Sequence, residues 1–189
     1  QRKVSERLEE GFRKTNETFA NVMARLATID DAQRKIDSLT TNVVSLQELL
    51  GDKRSRGAFG EVQLENLVRN ILPPSAYEFQ ATLGDGKRVD CLLKLPNPPG
   101  SIAVDAKFPL ESYNALRAAK DDAATLTAQR AFTVALRAHI AAIADKYIVP
   151  GETAESALMF LPSEAVYAEL HANFGAVVEE SYRRRVFIV

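Results

Sequence analysis

The sequence has a single cysteine, no tryptophan and no apolar run long enough to cross a membrane. One cysteine, Cys91, excludes an internal disulfide, is typical of a reducing compartment and predicts a small buried side chain. A membrane helix needs about 18 consecutive apolar residues, and no stretch approaches that length. The chain also has no excess of positive charge, because 24 Lys and Arg residues are balanced by 25 Asp and Glu residues and the formal net charge is −1. Binding to DNA would therefore depend on a local basic patch or on metal-neutralised acids.

What is present is the composition of a folded protein. Apolar residues make up 46% of the chain and charged residues 26%, as in globular domains. No signal-peptide pattern is visible, and we expect a cytoplasmic protein. The chain begins at Gln1 and ends on the apolar run 186–189. We therefore expect a piece of a longer protein, truncated at its C-terminus, whose missing N-terminal segment could hold an inner-membrane anchor.

Residues 1 to about 50 have the pattern of a long helix that needs a partner. They contain no proline and one glycine, Gly11, and apolar residues recur every seven positions. A second apolar series follows the first by four residues and, beyond 30–33, by three, which indicates a shift of the coiled-coil register. An isolated helix cannot bury such a stripe. We predict a coiled-coil helix over residues 1–52 that forms a homo-oligomer; the alternative is a helix packed on its own domain.

The remaining residues, 53–189, predict one α/β domain. After a polar hinge at 51–57, apolar spacing predicts a helix over 58–72, and prolines follow it. Three strands with short connections then predict a meander, with a glycine-containing hairpin between the first two. The predicted strands cover residues 77–83, 88–95 and 101–108.

The second half of this domain predicts helices that alternate with strands. The alanine-rich stretch 110–144 predicts two helices broken near Asp121, and Ser163 is placed to cap a later helix. Strands reached through helices can join the sheet in parallel. The predicted fold is therefore a mixed sheet flanked by helices. The later predicted elements are a strand over 157–161, a helix from 164, a helix over 175–184 and a strand over 186–189.

Two of the predicted strands carry acids that could meet. Asp105 and Lys107 lie on one face of the third strand, because side chains alternate along a strand. Asp90 lies on the second strand and can approach Asp105 if the two strands pair. Close carboxylates repel unless a proton or cation lies between them. Oxygen ligands of this kind suit Mg²⁺ or Mn²⁺, and a nearby lysine can stabilise charge on a phosphate.

The spacing of Asp90, Asp105 and Lys107 resembles the PD-(D/E)xK nuclease pattern, which implies a restriction-endonuclease-like core. Val89 stands where that pattern has proline, a position that shapes only the strand entry. The resemblance implies that Glu61, on the first helix, is a further metal ligand. The implied catalytic set is Glu61, Asp90, Asp105 and Lys107, with the three acids as metal ligands.

Longer motifs resemble the RmuC family of bacterial proteins associated with DNA recombination. They are Gly57-x-x-Gly60-Glu61, Val104-Asp105-Ala106-Lys107 and Phe160-Leu161-Pro162-Ser163-Glu164. The family resemblance implies a divalent-metal phosphodiesterase that acts on DNA, although fold alone does not fix function.

Contacts with DNA are expected from side chains beside the acids. Gln80 on the first strand and Lys87 and Arg88 at the hairpin are the candidates, against solvated or packing roles for each. A non-catalytic DNA-binding or scaffolding protein on a degenerate nuclease fold is the alternative function. A coiled-coil adaptor that binds protein is a third.

Overall fold

A computed structural model describes residues 51–189. The predicted coiled coil and its register shift lie outside the described residues, apart from the last two positions of the predicted helix. The described residues form helix α1, a short 3₁₀ turn, strands β1 to β3, helices α2 and α3, strand β4, helices α4 and α5, and strand β5. Their bounds are α1 Lys53–Ile71, β1 Tyr77–Thr82, β2 Arg88–Leu93, β3 Ser101–Ala106, α2 Leu110–Ala118, α3 Asp122–Tyr147, β4 Thr153–Phe160, α4 Glu164–Asn173, α5 Gly175–Arg183 and β5 Val186–Ile188.

The strands form one mixed sheet in the order β1-β2-β3-β4-β5. The first three strands are antiparallel neighbours, as the predicted meander requires. Strand β4 joins β3 in parallel, and β5 joins β4 in parallel. Each of these parallel strands is reached through helices, which confirms the prediction made from the connections. The α/β fold class with a mixed sheet flanked by helices is therefore confirmed.

The start of α1 corrects the predicted hinge at 51–57. Helix α1 begins at Lys53, with the Arg56 amide donating to the carbonyl of Asp52 at 3.0 Å. No proline lies in this stretch, and a glycine inside a helix costs only about 1 kcal/mol. Gly57 therefore does not break the helix.

The boundaries of β4 also differ from the prediction, while two helix caps agree with it. Strand β4 begins at Thr153, four residues before the apolar run that predicted it, because its first half pairs through backbone without a strong apolar pattern. The side chain of Asp121 accepts from the Ala124 amide at the break between α2 and α3. The Ser163 hydroxyl accepts from the Val166 amide and caps α4 as predicted.

Each face of the sheet packs on a different helical layer. Helix α3 buries Phe132, Leu136 and Ile140 on one face, together with side chains of α4 and α5. Helix α1 buries Leu64 and Val68 on the other face. Burial of a large apolar side chain stabilises the fold by about 1.5–3 kcal/mol, so both layers hold the sheet between them. Asp90 of β2 and Asp105 of β3 lie on the sheet between these two helical layers.

Candidate active site

The hydrogen-bonded ladder between β2 and β3 ends just before the predicted acids. Its last pair is Cys91 with Val104, so the next two positions in this register are Asp90 and Asp105. The Ala106 amide donates instead to the Asp90 carboxylate, with 2.8 Å between N and Oδ2. A side chain thus takes over a backbone bond where β2 and β3 separate. The structure places Asp90 and Asp105 at opposing positions of neighbouring strands, the pairing that the predicted approach of the two acids required.

Gln80 lies opposite Asp90 on β1, at the position where the side chains of β1 change the face of the sheet on which they pack. Phe79 packs with the α1 layer and Ala81 with the α3 layer, although simple alternation would give both the same face. Gln80 has a φ of 51°, in the left-handed region that costs a non-glycine residue roughly 1–2 kcal/mol. Backbone strain of this kind clusters at functional sites. The side chain is directed to α1, where Nε2 donates to Glu61 Oε2 at 3.1 Å.

Asp105 and Lys107 form an ion pair at the end of β3. The Asp105 residue is 3% exposed, and the Lys107 ammonium donates to its Oδ2. The Lys107 amide is held by the carbonyl of Phe160 on β4, at 2.9 Å. The lysine side chain retains 29% exposure. A buried carboxylate is therefore paired with a cation that still reaches solvent.

The protonation of Asp90 reflects how closely these groups lie. Burial raises the pKa of Asp90 from its ordinary value of 3.8 to about 6. The hydrogen bond from Ala106 opposes the shift, and the negative charges of Asp105 and Glu61 add to it. The Lys107 charge lowers the pKa again. Four side chains from α1, β2 and the β3 end thus share one electrostatic environment, in which an acid titrates near neutral pH.

Helix α3 adds two groups that sequence patterns did not identify as part of the site. The Tyr147 hydroxyl donates to the carbonyl of Arg88 at 3.0 Å, and burial together with the charge of Asp105 raises the pKa of the tyrosine. Burial and the Lys107 charge lower the pKa of half-buried His139, against the opposing charge of Asp105. These residues are eight apart on one helix. That spacing is the only signal in the sequence, and buried core residues share it.

The predicted DNA-contacting cations lie on the β1–β2 hairpin. The Lys87 ammonium pairs with Asp85 at 2.6 Å, and hydrogen bonds from the Lys87 side chain and backbone lower the pKa of Asp85. Arg88 is exposed, and its carbonyl accepts the Tyr147 hydrogen bond. Lys87 therefore has a carboxylate partner on the hairpin itself. Of the three predicted contacts, Gln80 is the one with a hydrogen bond to an acid of the predicted site.

The donor chemistry of the acids fits a hard divalent cation. Three carboxylates that share one electrostatic environment carry oxygen ligands of the kind that Mg²⁺ and Mn²⁺ prefer. Their present geometry is not a closed cage: within residues 51–189, no group of three His, Cys, Asp or Glu side chains is gathered so that it could hold a metal ion. Lys107 and Gln80 each bond to one of the carboxylates, so closure on a cation requires these side chains to adjust.

The fold and the site define an α/β domain with an acidic and lysine-containing centre at the point where two strands of its sheet separate. The RmuC family profile matches residues 1–189, and the chain belongs to the RmuC family. Across residues 51–189, no helix is long and apolar enough to cross a membrane.

Curated relatives support the family assignment. The chain is 32% identical over 180 residues to a DNA recombination protein RmuC homolog of Xylella fastidiosa, across 88% of this chain and 39% of the relative. It is 27% identical to a homolog of the same name from Pasteurella multocida, across 95% of this chain and 38% of the relative. The chain thus spans about two-fifths of the length of these relatives. No solved structure gives a significant match.

Proposed function

We propose that residues 53–189 are a restriction-endonuclease-like, PD-(D/E)xK domain that hydrolyses DNA phosphodiester bonds with a divalent metal ion during DNA recombination. The relatives are named as DNA recombination proteins, which supports DNA as the substrate. The observation that carries the proposal is the position of Asp90 and Asp105 directly beyond the end of the β2–β3 ladder. The charges of Glu61 and Lys107 both influence the pKa of the Asp90 carboxylate, in opposite directions.

Each residue has a role that follows from its contacts. Glu61, Asp90 and Asp105 would hold Mg²⁺ or Mn²⁺, which when bound supplies Lewis acidity and an activated water. Asp90 is held in place by the Ala106 amide, and Asp105 by the Lys107 ammonium. Lys107 is partly exposed and can turn its charge toward a phosphate oxygen.

DNA and a second copy of the chain are the proposed partners. Gln80, Lys87 and Arg88 would contact the DNA backbone beside the acids. The stripe in residues 1–52 would form a coiled-coil homo-oligomer and bring two sites to one DNA structure. A cytoplasmic location belongs to the same proposal, because the substrate is intracellular DNA.

The decisive test is Mn²⁺ binding by calorimetry together with cleavage of linear and branched DNA. Asp105→Asn removes the charge of the buried acid with little change in shape, and Asp145→Asn removes an exposed acid on α3 as the matched control. We expect the wild type and Asp145→Asn to bind Mn²⁺ and cut DNA, and Asp105→Asn to do neither. A wild-type chain that binds no Mn²⁺ at millimolar concentration would overturn the nuclease proposal.

The second candidate is a non-catalytic DNA-binding or scaffolding protein on the same fold. The observation in its favour is that Asp105 is already neutralised by Lys107, an arrangement that is stable without a cation. DNA binding that weakens with salt, needs no metal and leaves the DNA uncut would favour this candidate.

A further inference from the structure

Tyr147 bonds α3 to the start of β2, close to the point where the backbone pairing of β2 with β3 has stopped. It lies in the last turn of α3 and is 8% exposed. Its hydroxyl donates to the carbonyl of Arg88 at the start of β2, 3.0 Å away. Burial and the charge of the Asp105 carboxylate on β3 together raise the pKa of the same tyrosine. A group on α3 therefore bonds to β2 and shares the electrostatic environment of Asp105.

Side-chain hydrogen bonds take the place of backbone pairing where β2 and β3 separate. Beyond the last ladder pair, Cys91 with Val104, β2 and β3 have no further backbone pairing. The Asp90 carboxylate accepts from the Ala106 amide of β3. The Tyr147 hydroxyl donates to the carbonyl of Arg88, two residues before Asp90. The position of Asp90 beside β3 is thus set by side chains at a place where a regular sheet would set it by backbone.

The hydrogen-bonding capacity of a phenol explains why a tyrosine is needed at this position. A phenol hydroxyl has one proton to donate, and Tyr147 donates it to the Arg88 carbonyl. A phenylalanine would fill nearly the same volume and leave the Arg88 carbonyl without this donor.

We propose that Tyr147 is a positioning residue of the acidic centre, which holds the start of β2, and with it Asp90, at the spacing from Asp105 that a divalent cation needs. This inference rests on the proposed function, because it takes Asp90 and Asp105 as the ligands. Tyr147 acts through these acids and does not itself bind the cation. Partners of this kind orient metal ligands, and their loss typically lowers metal affinity by about 10–100-fold.

The test compares Tyr147→Phe with Tyr113→Phe in the full 189-residue chain. Tyr113 is a half-buried tyrosine whose ring packs on Phe132 of the same core, so its variant also removes one hydroxyl from a packed ring. We expect Tyr147→Phe to bind Mn²⁺ about tenfold more weakly than the wild type. Tyr113→Phe should bind as the wild type does. Equal Mn²⁺ affinity in Tyr147→Phe and the wild type overturns the proposal.

A second measurement needs no metal and separates this inference from the proposed function. Hydrogen exchange of the Ala106 amide reports on its bond to Asp90, and exchange of the Met159 amide on β4 reports on the stability of the core. In Tyr147→Phe we expect the Ala106 amide to exchange about tenfold faster relative to Met159. Proportional acceleration of both amides would mean a purely structural role and overturn the positioning role.

The two proposals are judged separately if the wild type binds no Mn²⁺. The nuclease proposal then fails on its own test, and the exchange ratio alone decides Tyr147. Selective exposure of Ala106 supports a residue that positions the two acids, whatever they bind. An unchanged ratio overturns the inference.

Discussion

The Asp90 carboxylate accepts the hydrogen bond of the Ala106 amide that a backbone carbonyl of β2 would accept in a continuous ladder. This exchange keeps an acid close to Asp105 in the interior of the sheet. Burial and the neighbouring negative charges then disfavour its ionised form, which is why its pKa is raised to about 6. The centre is thus built at some expense of stability in the protein without a cation, and each residue around it contributes in a direction that can be measured.

The charge of Asp90 should make the protein less stable as the pH rises. A raised pKa means that the folded state holds the proton more tightly than the unfolded state does. The stabilisation of the folded state by protonated Asp90 is complete below pH 3.8 and is lost as the pH rises through about 6, according to proton linkage. Asp90→Asn retains an oxygen that can accept from Ala106 and has no charge. We expect its melting temperature to exceed that of the wild type by an amount that grows from pH 4 to pH 7.

At pH 7 the free energy of unfolding of Asp90→Asn should exceed that of the wild type by an amount on the order of 1 kcal/mol, since Asp90 is partly exposed and solvent screens its charge. Metal-free thermal unfolding at several pH values measures it, with Asp145→Asn as the control. Parallel curves for Asp90→Asn and the wild type would contradict the raised pKa.

Loss of Lys107 should destabilise the fold more than loss of an exposed lysine. Lys107→Met leaves the buried Asp105 carboxylate without its cation, and breaking such a pair costs about 2 kcal/mol or more. Lys94→Met is the matched control, because Lys94 pairs with Glu78 between two side chains that are about half exposed. That loss should stay below about 1 kcal/mol. Urea unfolding at neutral pH measures both, and equal losses would mean that the Asp105 pair is not special.

At position 80, glycine should give a more stable protein than alanine, contrary to the usual order in strands. Both substitutions remove the amide that bonds to Glu61, so their difference isolates the backbone. With φ at 51°, Gln80→Gly should be more stable than Gln80→Ala by about 1 kcal/mol. Thr82 on the same strand provides the reference, where glycine should be the less stable of the two. Finding the same order at both positions, by urea unfolding, would contradict a strained backbone at Gln80.

Replacement of Gly60 by alanine should be tolerated and replacement by leucine should destabilise the fold, because Gly60 lies close to β3. A Cβ at this position would lie 3.5 Å from the Ala106 Cβ and 3.6 Å from the Pro162 Cγ, which is ordinary contact. Gly60→Leu would push α1 and the adjacent Glu61 away from the sheet and destabilise the fold by about 1–3 kcal/mol. Gly57→Leu on the same helix meets open space and should not destabilise. Urea unfolding compares them, and equal stability of the two leucine variants would refute the close approach.

The N-terminal stripe should set the oligomeric state. Ile29→Lys with Ile36→Lys places charges in the heptad series of residues 1–52, and buried charges in such a seam oppose association. We expect this double variant to sediment as a smaller species than the wild type. Ser38→Lys with Ser45→Lys adds the same charges outside both apolar series and should leave the sedimentation coefficient unchanged. A wild-type chain that sediments as a monomer would remove the coiled-coil proposal.

The sequence determined by itself the order of helices and strands, since each depends on local spacing of apolar residues and on proline, glycine and capping side chains. It also determined that β1 to β3 form a meander, because their connections are too short for other arrangements. The meeting of Asp90 with Asp105 follows from that meander and from side-chain alternation. Within residues 51–189, the errors lay at ends of elements, as at Lys53 and Thr153, where backbone pairing or helix propagation continues without an apolar signal.

Only the tertiary structure decided how the other groups surround the two acids. The left-handed φ of Gln80 and its bond to Glu61 arise where two strands change the face that they present, which no local pattern encodes. Tyr147 lies 59 positions from Arg88 in the chain, and their contact exists because α3 packs on the sheet. Local spacing specifies which side chains a helix buries. The partner that each buried group meets depends on packing between distant elements, and that packing places the Tyr147 hydroxyl on the Arg88 carbonyl.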